Sequence, residues 1–324
     1  MNLLVSYAHI MKCKRWIPLL ELWASKGLPV IIDSGAYSAA KSGINIDHNA
    51  YMMFVKQIQS CGKQTEFVQL DELRNPVATR NNLMIEYSAG LKSVPVLTNN
   101  ATLDEFAELV EHFNTRVCIA GATVMEPEQI NRKMERCWKR VNGNTKIHAL
   151  GYSNGWGPFR SVAYSYDSTS WLAALKWGNA HFYDPIYGIK TTHYKEVATP
   201  SLASLPKEMR NVLMASGITE QELRGKHGGR TQTSIISFVS TDAWLRWAIR
   251  VEHNNQKFYF AAVIPWMLCQ LLLAAIHHNR NGINWPQLKT EISPLMETLS
   301  KGDVNVRVVE GYLDRAIASW RTMI

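Results

Sequence analysis

The chain has 324 residues, of which 46% are hydrophobic and 19% charged, too apolar for a disordered chain and enough to bury a large core. Lys and Arg outnumber Asp and Glu by 35 to 27, and the resulting formal charge of +8 suits a polyanionic partner such as nucleic acid without requiring one. The five cysteines, Cys13, Cys61, Cys118, Cys137 and Cys269, never stand in CxC or CxxC spacing, which excludes a disulfide framework and a thiolate zinc site as organising devices.

The N-terminal run MNLLVSYAHIMKCKRW has neither the basic start nor the cleavage site of a secretion signal, so a cytoplasmic protein is expected. From there short apolar runs alternate with helical periodicity. Strands are expected at Leu3–Tyr7, Pro29–Asp33, Glu66–Leu70, Val94–Leu97, Arg116–Ala120, Lys146–Leu150, Val162–Tyr166 and Ala180–Tyr183. The intervening helices are expected at Trp16–Ser25, His48–Ser60, Pro76–Ala89, Leu103–Phe113, Glu128–Val141 and Thr169–Trp177. Three carry start signals: Asp47 before His48, Asn75 before Pro76, and Thr102 three residues ahead of Glu105.

Strand then helix, repeated, implies parallel pairing, and no GxGxxG turn marks a dinucleotide-binding open sheet. The expected fold is therefore α/β, a TIM-type (β/α)8 barrel over residues 1–195, with a mainly helical C-terminal region over 196–324. Helices are expected there at Leu205–Ala215, Ser234–Val251, Phe260–His277, Trp285–Leu299 and Asn305–Thr322. The apolar stretch Phe258–Ile276 contains Pro265 and Gln270 and reads as a buried helix pair, not a membrane span. The sequence GKHGGR at 225–230 is either a phosphate-contacting loop or a solvated turn.

In a barrel the chemistry sits where strands end, so the polar residue closing each apolar run matters. VIIDSGAYS ends on Asp33, with Ser34, Gly35 and Tyr37 behind it; by itself Asp-Ser-Gly is equally ordinary turn chemistry. FVQLDEL ends on Asp71, and SVAYSYDSTSW ends on Asp167, where a helix cap is the bland alternative. Three acidic strand ends in one barrel would raise one another's pKa values and cost stability, which favours a functional role.

The segments IIDSGAYS, FVQLDEL, VCIAGATV, HALGYS and DSTSW, in this order and spacing over roughly residues 3–190, resemble the tRNA-guanine transglycosylase barrel. DSGAYS and DSTSW are most similar to phage-encoded members, which include the DNA 7-deazaguanine transglycosylases. The resemblance implies that Asp167 is the nucleophile attacking the sugar C1′ and that Asp33 is the general acid/base. It implies that Asp71 reads the edge of a guanine-like ring, with Tyr37 stacked on one face and Leu150 of HALG, beside Gly151, on the other. Ser34 and Gly35 join the pocket, and the backbone at Gly121 and Ala122 resembles the loop contacting the base carbonyl or seven-position substituent. Either Thr98 or Asn99 falls where the family has a polar base-reading residue.

The chain departs from the tRNA enzymes in lacking their CxCxxC zinc segment after the last barrel strands. The histidines His181, His193, His227, His253, His277 and His278 read as ordinary polar residues, so neither metal nor cofactor is expected. The resemblance then implies exchange of guanine in DNA for a 7-deazaguanine base such as preQ0 or a derivative, in a host cytoplasm if the gene is phage-borne. An RNA-directed transglycosylase and a non-catalytic nucleic-acid-binding barrel stay open as alternatives. Arg224, Lys226 and Arg230, with Arg246, are candidate phosphate contacts, while Trp244 and Trp247 are either gap-filling aromatics or core. Neither a membrane nor a particular oligomeric state is implied.

Overall fold

The computed structural model describes residues 1–72, 75–113, 116–120, 125–152, 161–172, 179–193, 203, 205–223, 230–300 and 303–324. In chain order the strands are β1 (Asn2–Ser6), β2 (Val30–Asp33), β3 (Thr65–Phe67), β4 (Val96–Leu97), β5 (Val117–Ile119), β6 (Ile147–Ala149), β7 (Ser165–Ser168), β8 (Asn179–Asp184), β9 (Gly188–His193), β10 (Lys257–Ala262), β11 (His278–Asn279) and β12 (Gly282–Ile283). The helices are α1 (Tyr7–Lys12), α2 (Trp16–Ser25), α3 (Ala36–Ser42), α4 (His48–Cys61), α5 (Pro76–Ser88), α6 (Leu103–Phe113) and α7 (Pro127–Arg140), then α8 (Lys207–Ala215), α9 (Glu220–Leu223), α10 (Arg230–His253), α11 (Met267–Ile276), α12 (Trp285–Ser300) and α13 (Val306–Met323). Two compact units result, Met1–Ser168 with Asn255–Ile264, and Thr169–Asn254 with Pro265–Ile324.

The first unit is an eight-stranded sheet in the order β3-β2-β1-β10-β7-β6-β5-β4, parallel at every pairing. The sheet curls until its edge strands touch at one parallel bridge, Val68 to Val94, with N–H···O bonds of 3.0 Å from Gln69 to Val94 and 2.8 Å from Val94 to Phe67. Past that bridge the ladder stays open and the Gln69 side chain fills the gap, so the expected closed barrel is a curled half-barrel of eight parallel strands. Its Oε1 accepts from Val96 N–H at 2.9 Å, and its Nε2 donates to the Thr79 carbonyl of α5 at 2.9 Å.

Strand alternation sends Leu4, Ile31, Val68, Val94, Val96, Cys118, Tyr259 and Ala261 into one inner cluster, against which Ala120 and Leu150 pack. Leu3, Val5, Ile32 and Phe67 are buried too, so these strands carry apolar residues on both faces. Local signals start the helices as expected. Asp47 accepts from Ala50 N–H and Asn75 from Ala78 N–H, while Thr102 and Glu105 bond reciprocally ahead of α6.

Two expectations are corrected. Ala180–Tyr183 is no strand of this sheet: it lies in β8, paired antiparallel with β9 in the second unit. The eighth strand is β10, from the run expected to be the start of a helix, and it inserts between β1 and β7. Phe258 and Phe260 are buried on one face and Tyr259 and Ala261 on the other. A strand buried on both faces leaves no period of two to distinguish it from a buried helix. By contact the chain divides at Ser168 and Thr169, and residues 255–264 group with the first unit.

The second unit is mostly helical. Trp244 and Trp247 of α10 are core residues, each 1% exposed, and Trp244 Nε1–H donates to His181 Nδ1 at 2.7 Å. Burial lowers the His181 pKa to about 4. Arg246 pairs with Asp242 at 2.7 Å and donates to the carbonyls of Asn279, Arg280 and Gly282, clamping the β11–β12 hairpin. Burial places both tryptophans in the core, and Arg246 is committed to Asp242 and the hairpin carbonyls. No described helix is long and apolar enough to cross a membrane.

Candidate active site

Because the strands are parallel, their C-terminal ends share one edge of the sheet. Asp33 closes β2 in register with Ser6, and it follows Ile31 of the inner cluster by two residues, so its side chain shares that face. Asp167 stands opposite Tyr259, another inner residue, in the β7–β10 pairing. Asp71 is reached four residues beyond β3, where Ser34 Oγ–H donates to its Oδ1 at 3.1 Å.

The turn after Asp33 requires glycine at position 35. Its φ is +80°, and a Cβ there would lie 2.2 Å from Ser6 Oγ and 2.7 Å from Ala8 Cβ. Only bare backbone lets β1 and the turn approach so closely, which keeps Ser34 against Asp71. The Asp71 segment is held from α5: Leu70 N–H donates to Glu86 Oε1 at 3.0 Å, Asn82 Nδ2 to the Leu70 carbonyl at 3.1 Å, and Glu72 N–H to Thr79 Oγ1 at 2.9 Å. Glu86 is fully buried, accepts from the Ser93 hydroxyl and pairs with His48 Nε2 at 2.9 Å. Tyr51 ties the two strand ends together, its hydroxyl donating to the Val68 carbonyl at 2.5 Å.

The Asp33 pKa is pushed up to about 7, first by burial and then by the charges of Asp71 and Asp167; the Gly35 N–H opposes the shift. Burial also raises the Asp71 pKa, against the Ser34 hydroxyl that favours its charged form. Cys118, in the inner cluster beneath, feels both Asp33 and Asp167, although burial is the main reason its thiol pKa rises well above the usual value.

Asp167 is 6% exposed and is gripped by one oxygen. Its Oδ1 accepts from Gly151 N–H at 2.8 Å and lies 3.2 Å from His148 Nε2. Leu150 is half-buried on the inner cluster beside this contact. Tyr37 lies in the first turn of α3 and is 45% exposed, with the Lys41 ammonium 4.4 Å from its ring centre. Thr98 and Asn99 follow β4, their carbonyls accepting from Lys133 Nζ at 2.9 and 3.0 Å. Thr98 also lines a cleft of about 360 Å³ with Gln69, Arg80 and Leu109, and none of the three carboxylates borders it.

Gly121, Ala122, Arg224 and Lys226 lie outside the described residues, and Arg230 is placed only as the first residue of α10. The roles of His148, Ser6 and the Glu86–His48 support stand outside the motifs legible in the sequence. For His148 a signal existed, since it precedes Leu150 by two on an apolar strand and must share its face.

Chemically, one carboxyl that titrates near neutrality can give and take a proton, and a second, anchored by the Gly151 N–H, can attack an electrophile. Among the described residues no group of His, Cys, Asp and Glu assembles a metal-binding set. No protein-family model and no curated protein sequence matches the chain.

Proposed function

We propose that this rim is the active site of a base-exchanging glycosyltransferase of the (β/α)8-barrel type, which replaces guanine in DNA with a 7-deazaguanine. The observation carrying this reading is the meeting of Asp33, Asp71 and Asp167 at one sheet edge, with the Asp33 pKa at about 7. A carboxyl poised there is protonated often enough to protonate a departing base and ionised often enough to deprotonate the incoming one.

Asp167 attacks C1′ as the C1′–N9 bond breaks, the electron pair leaves with guanine, and Asp33 supplies the proton. The 7-deazaguanine then gives its N9 proton to Asp33, attacks C1′ and returns the carboxylate of Asp167, so two inversions retain configuration. Asp71 accepts from the ring N1–H and exocyclic amine, Leu150 forms one wall, and Tyr37 supplies the other by turning its exposed ring over the base. The target nucleotide leaves the stack, at a cost of about a few kcal/mol, because no carboxylate reaches C1′ within a duplex. The missing zinc segment favours DNA over tRNA, and the basic excess suits either polyanion, with Arg224, Lys226 and Arg230 as phosphate contacts.

Incubation with guanine-containing duplex and a radiolabelled 7-deazaguanine, followed by digestion to nucleosides, tests the reading. Labelled deoxynucleoside is expected from the unsubstituted chain. Label entering tRNA in preference to DNA would redirect the substrate, and label in neither would overturn the activity.

A further inference from the structure

We infer that His148 is a positioning residue that gives the two oxygens of Asp167 different jobs, Oδ1 being held and Oδ2 attacking; this rests on the base-exchange reading above. His148 is fully buried, and each ring nitrogen meets another buried side chain. Nδ1 lies 2.8 Å from Ser165 Oγ and Nε2 lies 3.2 Å from Asp167 Oδ1. Ser165 is itself fully buried and is the register partner of His148 across the β6–β7 pairing. The edge-on Tyr259 ring, 5.8 Å away, fixes the plane of the imidazole.

The proton inventory follows from what each partner can do. A carboxylate only accepts, so the nitrogen facing Asp167 must carry hydrogen; the reverse tautomer would set two lone pairs against each other. In the neutral ring Nδ1 then accepts from the Ser165 hydroxyl, and the order of donation runs Ser165 to His148 to Asp167. With the Gly151 N–H added, Oδ1 receives two hydrogen bonds, whereas Oδ2 has no partner among the described residues. The attacking oxygen is therefore Oδ2.

The same bonds serve both halves of the exchange. When Oδ2 bonds to C1′ and guanine departs with its electron pair, Oδ1 becomes the ester carbonyl and still accepts from both donors. When the incoming base displaces Asp167, the Oδ2–C1′ bond breaks, its pair returns to the carboxylate, and the donors at Oδ1 take up the recovered charge.

Two readouts test this on the full chain. In wild-type protein carrying ¹⁵N-labelled histidine, the His148 ring, assigned by its disappearance in His148→Gln, is expected to show a protonated Nε2 and a bare Nδ1. A bare Nε2 would overturn the inference whether or not the chain is active. In the labelled-base assay, His148→Ala is expected to lower kcat about 10- to 100-fold with KM for the base unchanged. His148→Gln, whose amide N–H points toward the same oxygen, is expected to recover most of that loss, and His148→Phe, which restores volume without a donor, is not. Recovery by Phe and not Gln would reduce His148 to packing. A wild-type chain that transfers no base removes the base-exchange reading and this inference with it, whereas transfer by wild type and His148→Ala at equal kcat removes this inference alone.

Discussion

At the scale of single residues, the rim concentrates like charge. Asp33 holds its proton to about pH 7 in the folded chain, against 3.8 for an unperturbed aspartate. Its contribution to stability is thus present in full below pH 4 and is lost as pH rises through 7, an effect on the order of 4 kcal/mol when fully expressed. Asp33→Asn cannot titrate, so its urea-unfolding free energy is expected to lose this slope between pH 4 and 7 and to exceed the parent's at pH 8; an unchanged slope would remove Asp33 as its source. Asp33, Asp71 and Asp167 were legible in the sequence because each closes an apolar run with a carboxylate. For His148 the strand face was legible but its partners were not, because they depend on which strand lies beside β6, and that register brings Ser165 and Asp167 within reach. The exposed ring of Tyr37 was equally hidden, since a helix start fixes where a residue stands and not which way its ring turns.

At the scale of elements, α5 works as a brace for the Asp71 segment, through Glu86, Asn82 and Thr79. Helix caps at Asp47, Asn75 and Thr102 could be read directly, since a cap needs only near neighbours in sequence. The open ladder between β3 and β4 could not be, because it depends on one side chain standing in for backbone. Gln69→Leu keeps most of the volume but strands the buried Val96 N–H, while the Thr79 carbonyl stays within the α5 ladder. The expected cost is about 1–3 kcal/mol for the orphaned group, read by chemical unfolding, together with loss of hydrogen-exchange protection at Val96. Full protection at Val96 in the variant would contradict that role for Gln69.

At the scale of the whole molecule, the chain leaves the sheet after β7 and returns at β10 to supply a strand between β1 and β7. Parallel βα repetition was legible over the first seven strands, while the eighth was masked by an apolar run buried on both faces. Residues 1–195 alone lack β10 and are expected to show no cooperative urea transition; a sharp one would mean that the sheet forms without it. The central claim, that the carboxylates at this rim perform base exchange through Asp167, is tested most directly by peptide mass spectrometry of protein denatured in the midst of exchange on guanine-containing DNA. The expected result is a deoxyribosyl-linked peptide containing Asp167, absent from Asp167→Asn. An Asp167→Asn chain that exchanges base at the wild-type rate, or an adduct mapped to another residue, would contradict it.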